Sequence, residues 1–235
     1  MRRAIIATCL MLGFAAPLMP SGAFAQAAEE QSLVDRSTLT VNEMMGTGDQ
    51  SITRDAQSLL QRARAVLICP RVFRAGLILG GEGGSCVLAA RDGAGSWSSP
   101  AFYGMGSGSI GFQIGVQDAQ VMVMIMNDKG LKAVLDSQFT IGADASIAVA
   151  TLGAGVQGAT TAAVGADIVT YARTRGLFAG ISLSGSIIGS RSNSNQAYYG
   201  QSLSARQIVV DMAAHNPGSD PLRGALMRFG TKQPQ

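Results

Sequence analysis

The chain has 235 residues, of which 47% are hydrophobic and only 14% charged, with 30 glycines among them. That is too apolar for a disordered chain and too glycine-rich for a helix bundle. The formal net charge of +3 includes Arg2 and Arg3 at the amino end; without them 16 basic residues face 15 acidic ones, so overall charge does not point to nucleic acid.

The first 25 residues read as a secretory signal peptide. "MRR" is basic, "AIIATCLMLGFAAPLM" is apolar, and "SGAFA" supplies small residues, with Ala23 and Ala25 in A-x-A order. The apolar core is shorter than the roughly 20 residues of a spanning helix. Cys9 lies inside it, which argues against lipidation. Cleavage near Ala25 predicts an exported protein, periplasmic or associated with a bacterial envelope, with about 210 residues left for one large domain.

Residues 26–51 read as a polar lead-in with a weak helical segment around "SLVDRSTLTVNEMM". A clearer helix follows in "SITRDAQSLLQRARAV", where Ile52, Ala56, Leu59, Leu60 and Ala63 share one face and Arg54, Arg62 and Arg64 fall mostly elsewhere. Pro70 closes the next apolar stretch. From Gly76 to Gln117 short extended runs are punctuated by glycine: "GLILGG", "SCVLAAR", "GSWSSP" and "GSIGFQIGVQ". "VMVMIM" at 121–126 predicts a strand buried on both faces. "NDKGLKAVLDS" predicts a short helix started by Asn127 and Asp128. Strand-like runs return at "SIAVAT", "DIVTYAR" and "GLFAGISLSGSII", then helical spacing at "SLSARQIVVDMAA", and residues 213–235 read as a peripheral tail. Glycines inside otherwise good strands permit bulges and sharp coiling. The predicted fold is a single α+β domain, a curved, glycine-rich, barrel-like antiparallel sheet with flanking helices.

"LGAGVQGAT" at 152–160 matches G-x-G-x-x-G, the dinucleotide fingerprint, but the following segment is a poor helix broken by Gly165, and "RTRGLF" stands where the ribose-binding acid belongs. Gly106, Gly108 and Gly111 repeat the spacing, again without the right surroundings. Neither G-x-S-x-G nor a Walker-type G-K-[ST] occurs. The lone histidine, His215, lies in the turn-rich "HNPGSDP" and is a poor general base. Glu82, Asp92, Asp118, Asp128, Asp144 and Asp167 are isolated, as turn formers or paired charges, with Asp144 and Asp167 flanking an uncharged run that reads as a buried hairpin rather than a membrane span. No enzyme activity, cofactor or metal is expected. Beyond the leader the two cysteines are Cys69 and Cys86; an oxidising compartment favours a disulfide between them, with buried free thiols as the alternative.

What remains is local charge. Arg54, Arg62, Arg64, Arg71 and Arg74 fall close together, and Arg173 and Arg175 lie in an acid-free stretch from Ile168 to Val210. Arginines beside an amphipathic helix suit anionic headgroups, each giving on the order of 1 kcal/mol at a charged surface; the bland alternative is a solvated face with scattered ion pairs.

The stretch from "RARAVLICPRVFRAGLILGGEGGSCVLAARD" through "GSWSSPAFYGMGSGSIGFQIGVQ", "DKGL", "GADASIAVATLGAGVQGAT" and "GLFAGISLSGSII" to "AYYG" and "ARQIV" resembles the SYLF lipid-binding domain family over roughly residues 52–212. The resemblance implies a non-enzymatic lipid-binding module. Eukaryotic relatives bind phosphoinositides and often carry a Src-homology-3 domain, some fungal ones bind actin, and an amphipathic helix at the start of the domain is implicated in membrane attachment. This sequence differs in its leader, its cysteine pair and the lack of a Src-homology-3 domain. Export directs attention to another anionic phospholipid, such as phosphatidic acid, phosphatidylglycerol or cardiolipin. The expected surface comprises Arg54, Arg62, Arg64, Arg71 and Arg74, with Arg173 and Arg175 as a second patch. Leu59 and Leu60 either dip into the headgroup boundary or pack onto the sheet. The alternative function is an envelope scaffold that binds a protein partner through aromatic residues such as Trp97, Phe102 and Tyr103.

Overall fold

The computed structural model describes residues 21–47, 50–76, 79–110, 115–136, 138–141, 149–152, 165–175 and 185–231. Two helices lead, α1 (Ser21–Gly46) and α2 (Gln50–Arg62), followed by four long strands: β1 (Ala65–Gly76), β2 (Leu79–Ala90), β3 (Ala101–Ile110) and β4 (Gly115–Ile125). Then come α3 (Asp128–Leu135), β5 (Gln138–Thr140), β6 (Val149–Leu152), β7 (Ile168–Arg175) and β8 (Ile187–Ser190). The chain finishes on α4 (Ser192–Tyr199), α5 (Ala205–Val209) and α6 (Asp220–Gly230).

The eight strands form one sheet in the order β5-β8-β3-β2-β1-β4-β7-β6. Seven run antiparallel as a curled half-barrel, and the short β6 lies parallel to β7. Alternation along each strand feeds two cores. Val66 and Ile68 of β1, Phe102 of β3, and Met122 and Met124 of β4 face the layer of α1, α2, α4 and α6. Leu67, Tyr103, Val121, Val123 and Ile125 face α3 and α5. The apolar run at 121–126 is therefore buried on both faces, as its composition predicts.

Curvature comes from a bulge at the middle of β1. Pairing with β2 shifts between Ile68 and Arg71, and pairing with β4 between Cys69 and Val72. Pro70 sits inside that shift, where its missing N–H costs no ladder bond. Just past the shift Gly84, the ladder partner of Val72, leaves no room for a side chain: a Cβ there would lie 2.6 Å from the Arg71 carbonyl oxygen. Beside the bulge Cys69 and Cys86 are joined in a disulfide, both fully buried, with Cα atoms 4.2 Å apart.

Both ends of the described chain are built into the core. Leu33, Val34, Val41, Met44 and Met45 of α1 are buried, so the lead-in is a wall of the domain. Leu222 and Leu226 of α6 are fully buried, and α6 packs on α1 and α2; the segment expected as a peripheral tail closes the helical layer. The helix predicted at 202–214 is only the five residues of α5, capped by Ser204 and Gln207 in a reciprocal capping box.

Asn127 caps α3, its side chain accepting from the Gly130 N–H, while its Nδ2 donates to Asp167. Lys129 Nζ donates to the same carboxylate at 3.0 Å. The Asn127 hydrogen bond foremost, then that from Lys129, holds Asp167 below the ordinary carboxylate pKa. A depressed folded-state pKa gives stability that is present above the unfolded value, about pH 4, and lost as pH falls through the folded one. Asp167→Asn is therefore expected to flatten the acid limb of the stability curve, read by urea unfolding from pH 6 down to pH 3. An unchanged acid limb would show that this cluster does not set it.

Candidate functional site

The sheet sorts the predicted arginines onto different surfaces. On α2, Ala56, Leu59 and Leu60 point into the core while Arg54 and Arg62 are exposed. Leu59 and Leu60 are 1% and 0% exposed, so of the two placements open to them the structure shows packing, and neither contributes to a surface. Among the described residues Arg54 and Arg62 bond only within their helix, to Gln50 Oε1 and the Ser58 carbonyl, both at 3.3 Å. Arg64 is tied to Asp128 at 2.8 Å.

Arg71 and Arg74 lie on opposite faces of β1. Arg74 pairs with Glu82 at 2.7 Å, and Glu82, itself buried, also accepts from Ser186 Oγ at 2.6 Å. That buried cluster lies on the α3 side and takes Arg74 out of the basic patch. Arg71 is on the α1 side, where it grips Asp118 with two bonds of 2.8 and 2.9 Å; this pairing raises its pKa further above neutrality. Strand order then brings in a residue distant in sequence. Gln120 of β4 is the ladder partner of Arg173 on β7, and Asp118 that of Arg175. Arg173 reaches the end of α1, donating to Thr47 Oγ1 at 3.1 Å and the Glu43 carbonyl at 3.4 Å. Arg71 from the first expected patch and Arg173 from the second thus share the α1 side of β1, β4 and β7, while Arg54, Arg62, Arg64 and Arg74 lie elsewhere.

Between α1 and these strands runs a groove of about 290 Å³. Arg36, Leu39, Thr40 and Glu43 form its helical wall, and Pro70, Arg71, Asp118, Ala119 and Gln120 its sheet side. Leu39 is 60% exposed. Phe73, 41% exposed, sits beneath the Arg71 guanidinium at 5.7 Å, a cation–π contact at the rim. Arg36 and Leu39 escaped the sequence reading because α1 looked weak, yet the spacing 36, 39, 40, 43 is one helical stripe beside the buried Leu33, Ser37, Val41 and Met44.

Other predicted features resolve into structural roles. Trp97, Phe102 and Tyr103 are buried, which corrects their expected place on a partner-binding surface. Asp92 shapes a turn by accepting from the Ser96 N–H. Gly106 and Gly108 lie within β3, so that match to the dinucleotide spacing is ladder, not loop. The match at 152–160, most of the uncharged run, Asp144 and the "GFQI" at 111–114 lie outside the described residues, apart from Leu152 at the end of β6. Among the described residues no helix is long and apolar enough to cross a membrane, and no group of His, Cys, Asp and Glu is placed to hold a metal. Ser99, His215 and Asp220 do converge, at 3.4 Å and 3.6 Å. Ser99 is buried, however, and its hydroxyl meets Ser219 Oγ at 3.2 Å, so the trio fastens the start of α6 to the sheet.

Residues 106–229, more than half of the chain, match the family model described as Ysc84, Las17-binding protein actin regulator. The chain belongs to the Ysc84, or SYLF, family. Family members similar to it include LAS seventeen-binding protein 3 of Saccharomyces cerevisiae, 30% identical over 184 residues, 77% of this chain and 39% of that protein. Protein YSC84 of the same yeast is 29% identical over 190 residues, 80% of this chain and 40% of that protein. The human SH3 domain-containing YSC84-like protein 1 is 32% identical over 162 residues, 68% of this chain and 47% of that protein. The chain spans less than half the length of these SYLF relatives; the family description and the first of them are named for binding or regulation, and none is named for a reaction.

Proposed function

We propose that this SYLF protein is exported and associates peripherally with anionic phospholipid membranes through arginines on the α1 side of its sheet. The observation that carries the reading is the convergence of Arg36, Arg71 and Arg173 around one groove whose rim exposes Leu39 and Phe73. Arg54 and Arg62 on α2 supply further exposed charge. With Leu59 and Leu60 in the core, attachment is chiefly electrostatic, so it falls with ionic strength.

The test is co-sedimentation with vesicles of phosphatidylcholine alone and with added phosphatidylglycerol, across a salt series. Binding is expected only to the anionic vesicles and to weaken as salt rises. Reversing Arg36 or Arg173 to Glu is expected to weaken it about tenfold, since each basic residue contributes on the order of 1 kcal/mol and reversal adds repulsion. Equal binding to neutral vesicles would replace this mechanism by apolar insertion.

A second reading rests on names: the family description and that of LAS seventeen-binding protein 3 denote binding to Las17. On that reading the protein is an envelope scaffold whose partner is another protein. Absence of binding to either vesicle would favour it. Export has its own test: the protein recovered from the producing cell should begin at Gln26.

A further inference from the structure

The groove beside α1 contains an acceptor that the fold leaves unanswered. Gln120 is 7% exposed. Its Nε2 donates to Glu43 Oε2 at 2.8 Å and reaches Thr40 Oγ1 at 3.5 Å. A carboxylate only accepts, which fixes the amide's orientation. The outcome is a buried Oε1 with no hydrogen-bond partner, an expensive arrangement unless something else supplies a donor. Across the groove Arg36 presents the complementary chemistry. Its Nη1 donates to Ser32 Oγ at 2.8 Å, and among the described residues it has no carboxylate partner. Gln120, its oxygen buried, and Arg36 thus line one recess, with the exposed Leu39 at its rim.

Resting on the lipid-binding reading, we infer that this groove holds the headgroup of a single phospholipid whose phosphodiester carries a hydroxyl- or ammonium-bearing alcohol. The phosphate lies on Arg36, and the alcohol's donors meet Gln120 Oε1 and the Glu43 carboxylate. The acyl chains leave over Leu39 and Phe73. A phosphodiester without a donor on its head satisfies Arg36 but strands Gln120. The groove therefore reads the head as well as the charge.

The test compares dihexanoylphosphatidylglycerol with dihexanoylphosphatidylmethanol below their micelle concentrations, by calorimetric titration of the purified protein. The two lipids carry the same charge and differ in the hydroxyls of the head. The glycerol lipid is expected to bind about tenfold more tightly, the effect of answering one buried acceptor. Gln120→Met is expected to bring the ratio to about one, whereas Arg36→Gln weakens both lipids and keeps the ratio. The wild-type ratio needs no variant, so poor folding of Gln120→Met leaves the central comparison intact. Equal affinity of the two lipids would overturn the headgroup assignment. Deacylated glycerophosphoglycerol binding as tightly as the lipid would overturn the role of the rim. Absence of any titration while anionic vesicles still bind would overturn the groove and leave the peripheral reading standing. Loss of vesicle binding as well would overturn both.

Discussion

Leu60→Ala is expected to lower the unfolding free energy by about 2–5 kcal/mol, the range for emptying a fully buried leucine site, and to leave vesicle binding by the folded protein unchanged. Leu60 is 0% exposed and belongs to the cluster built from α1, α2, α6 and the sheet, with Met44, Met45, Val66 and Leu226 among its members. A truncation there removes contacts that the surroundings cannot fully close over. Urea unfolding at neutral pH measures the loss, and co-sedimentation at a temperature where the variant is folded measures the binding. The opposite pattern, weaker vesicle binding at undiminished stability, would restore Leu60 to the membrane interface. Arg62→Glu on the same helix is the counterpart. It is exposed, and among the described residues its side chain bonds only the Ser58 carbonyl, so it is expected to change binding and not stability.

What the sequence made legible follows from how strictly each element obeys its period. The strand at 121–125 announces itself because both faces are consistently apolar, whereas β2 joins two runs that read separately, "GLILGG" and "SCVLAAR", through glycines and the buried Glu82. Pro70 read as the end of a stretch, but β1 continues through it to Gly76 because a bulge absorbs the missing donor. The strength of α1 was hidden by polar residues on its inward face. Ser37 and Thr40 are buried there, and Ser37 Oγ satisfies itself on the Leu33 carbonyl at 2.8 Å, so hydroxyls stand where the pattern expects aliphatics. In the carboxyl segment, read as a turn-rich peripheral tail, Pro217 and Pro221 each stand in a first turn, where proline's fixed φ suits helix entry. The site was half legible. The arginines were found, but Arg71 meets Arg173 only through β4, a strand order that no spacing encodes.

Arg91→Met is expected to cost about 2–4 kcal/mol, the effect of removing charge-assisted hydrogen bonds that contribute about 1.5–3 kcal/mol each. Arg91 lies where β2 ends, bridged to Trp97. Its Nη1 donates to the Gln61 carbonyl at 2.9 Å, and its Nη2 to those of Leu60 and Gly230 at 3.2 and 2.9 Å. Those are last-turn carbonyls of α2 and α6, where intrahelical donors run out; that of Leu60 also accepts the Ala63 N–H at 3.3 Å. One guanidinium thus answers both helix ends with a cation where each dipole is negative. Its plane lies over Trp97 at 4.5 Å. Gly230 permits the approach, since a Cβ there would stand 2.6 Å from Nη2. Burial first, then the charge of Arg64, lowers the Arg91 pKa, but a guanidinium stays protonated at neutral pH. Lysine is a point charge without the planar fork, so Arg91→Lys is expected to recover little of the loss. Urea unfolding gives the magnitude, and hydrogen exchange along residues 220–230 should show α6 opening first. If Arg91→Lys matched the wild type, charge alone would hold the helices and the fork would be incidental. The knot bears on the proposed function because α2 carries Arg54 and Arg62: its carboxyl end is pinned through Arg91, so on the membrane-binding proposal these arginines act as fixed charges on a docked helix, not on one that swings out to insert.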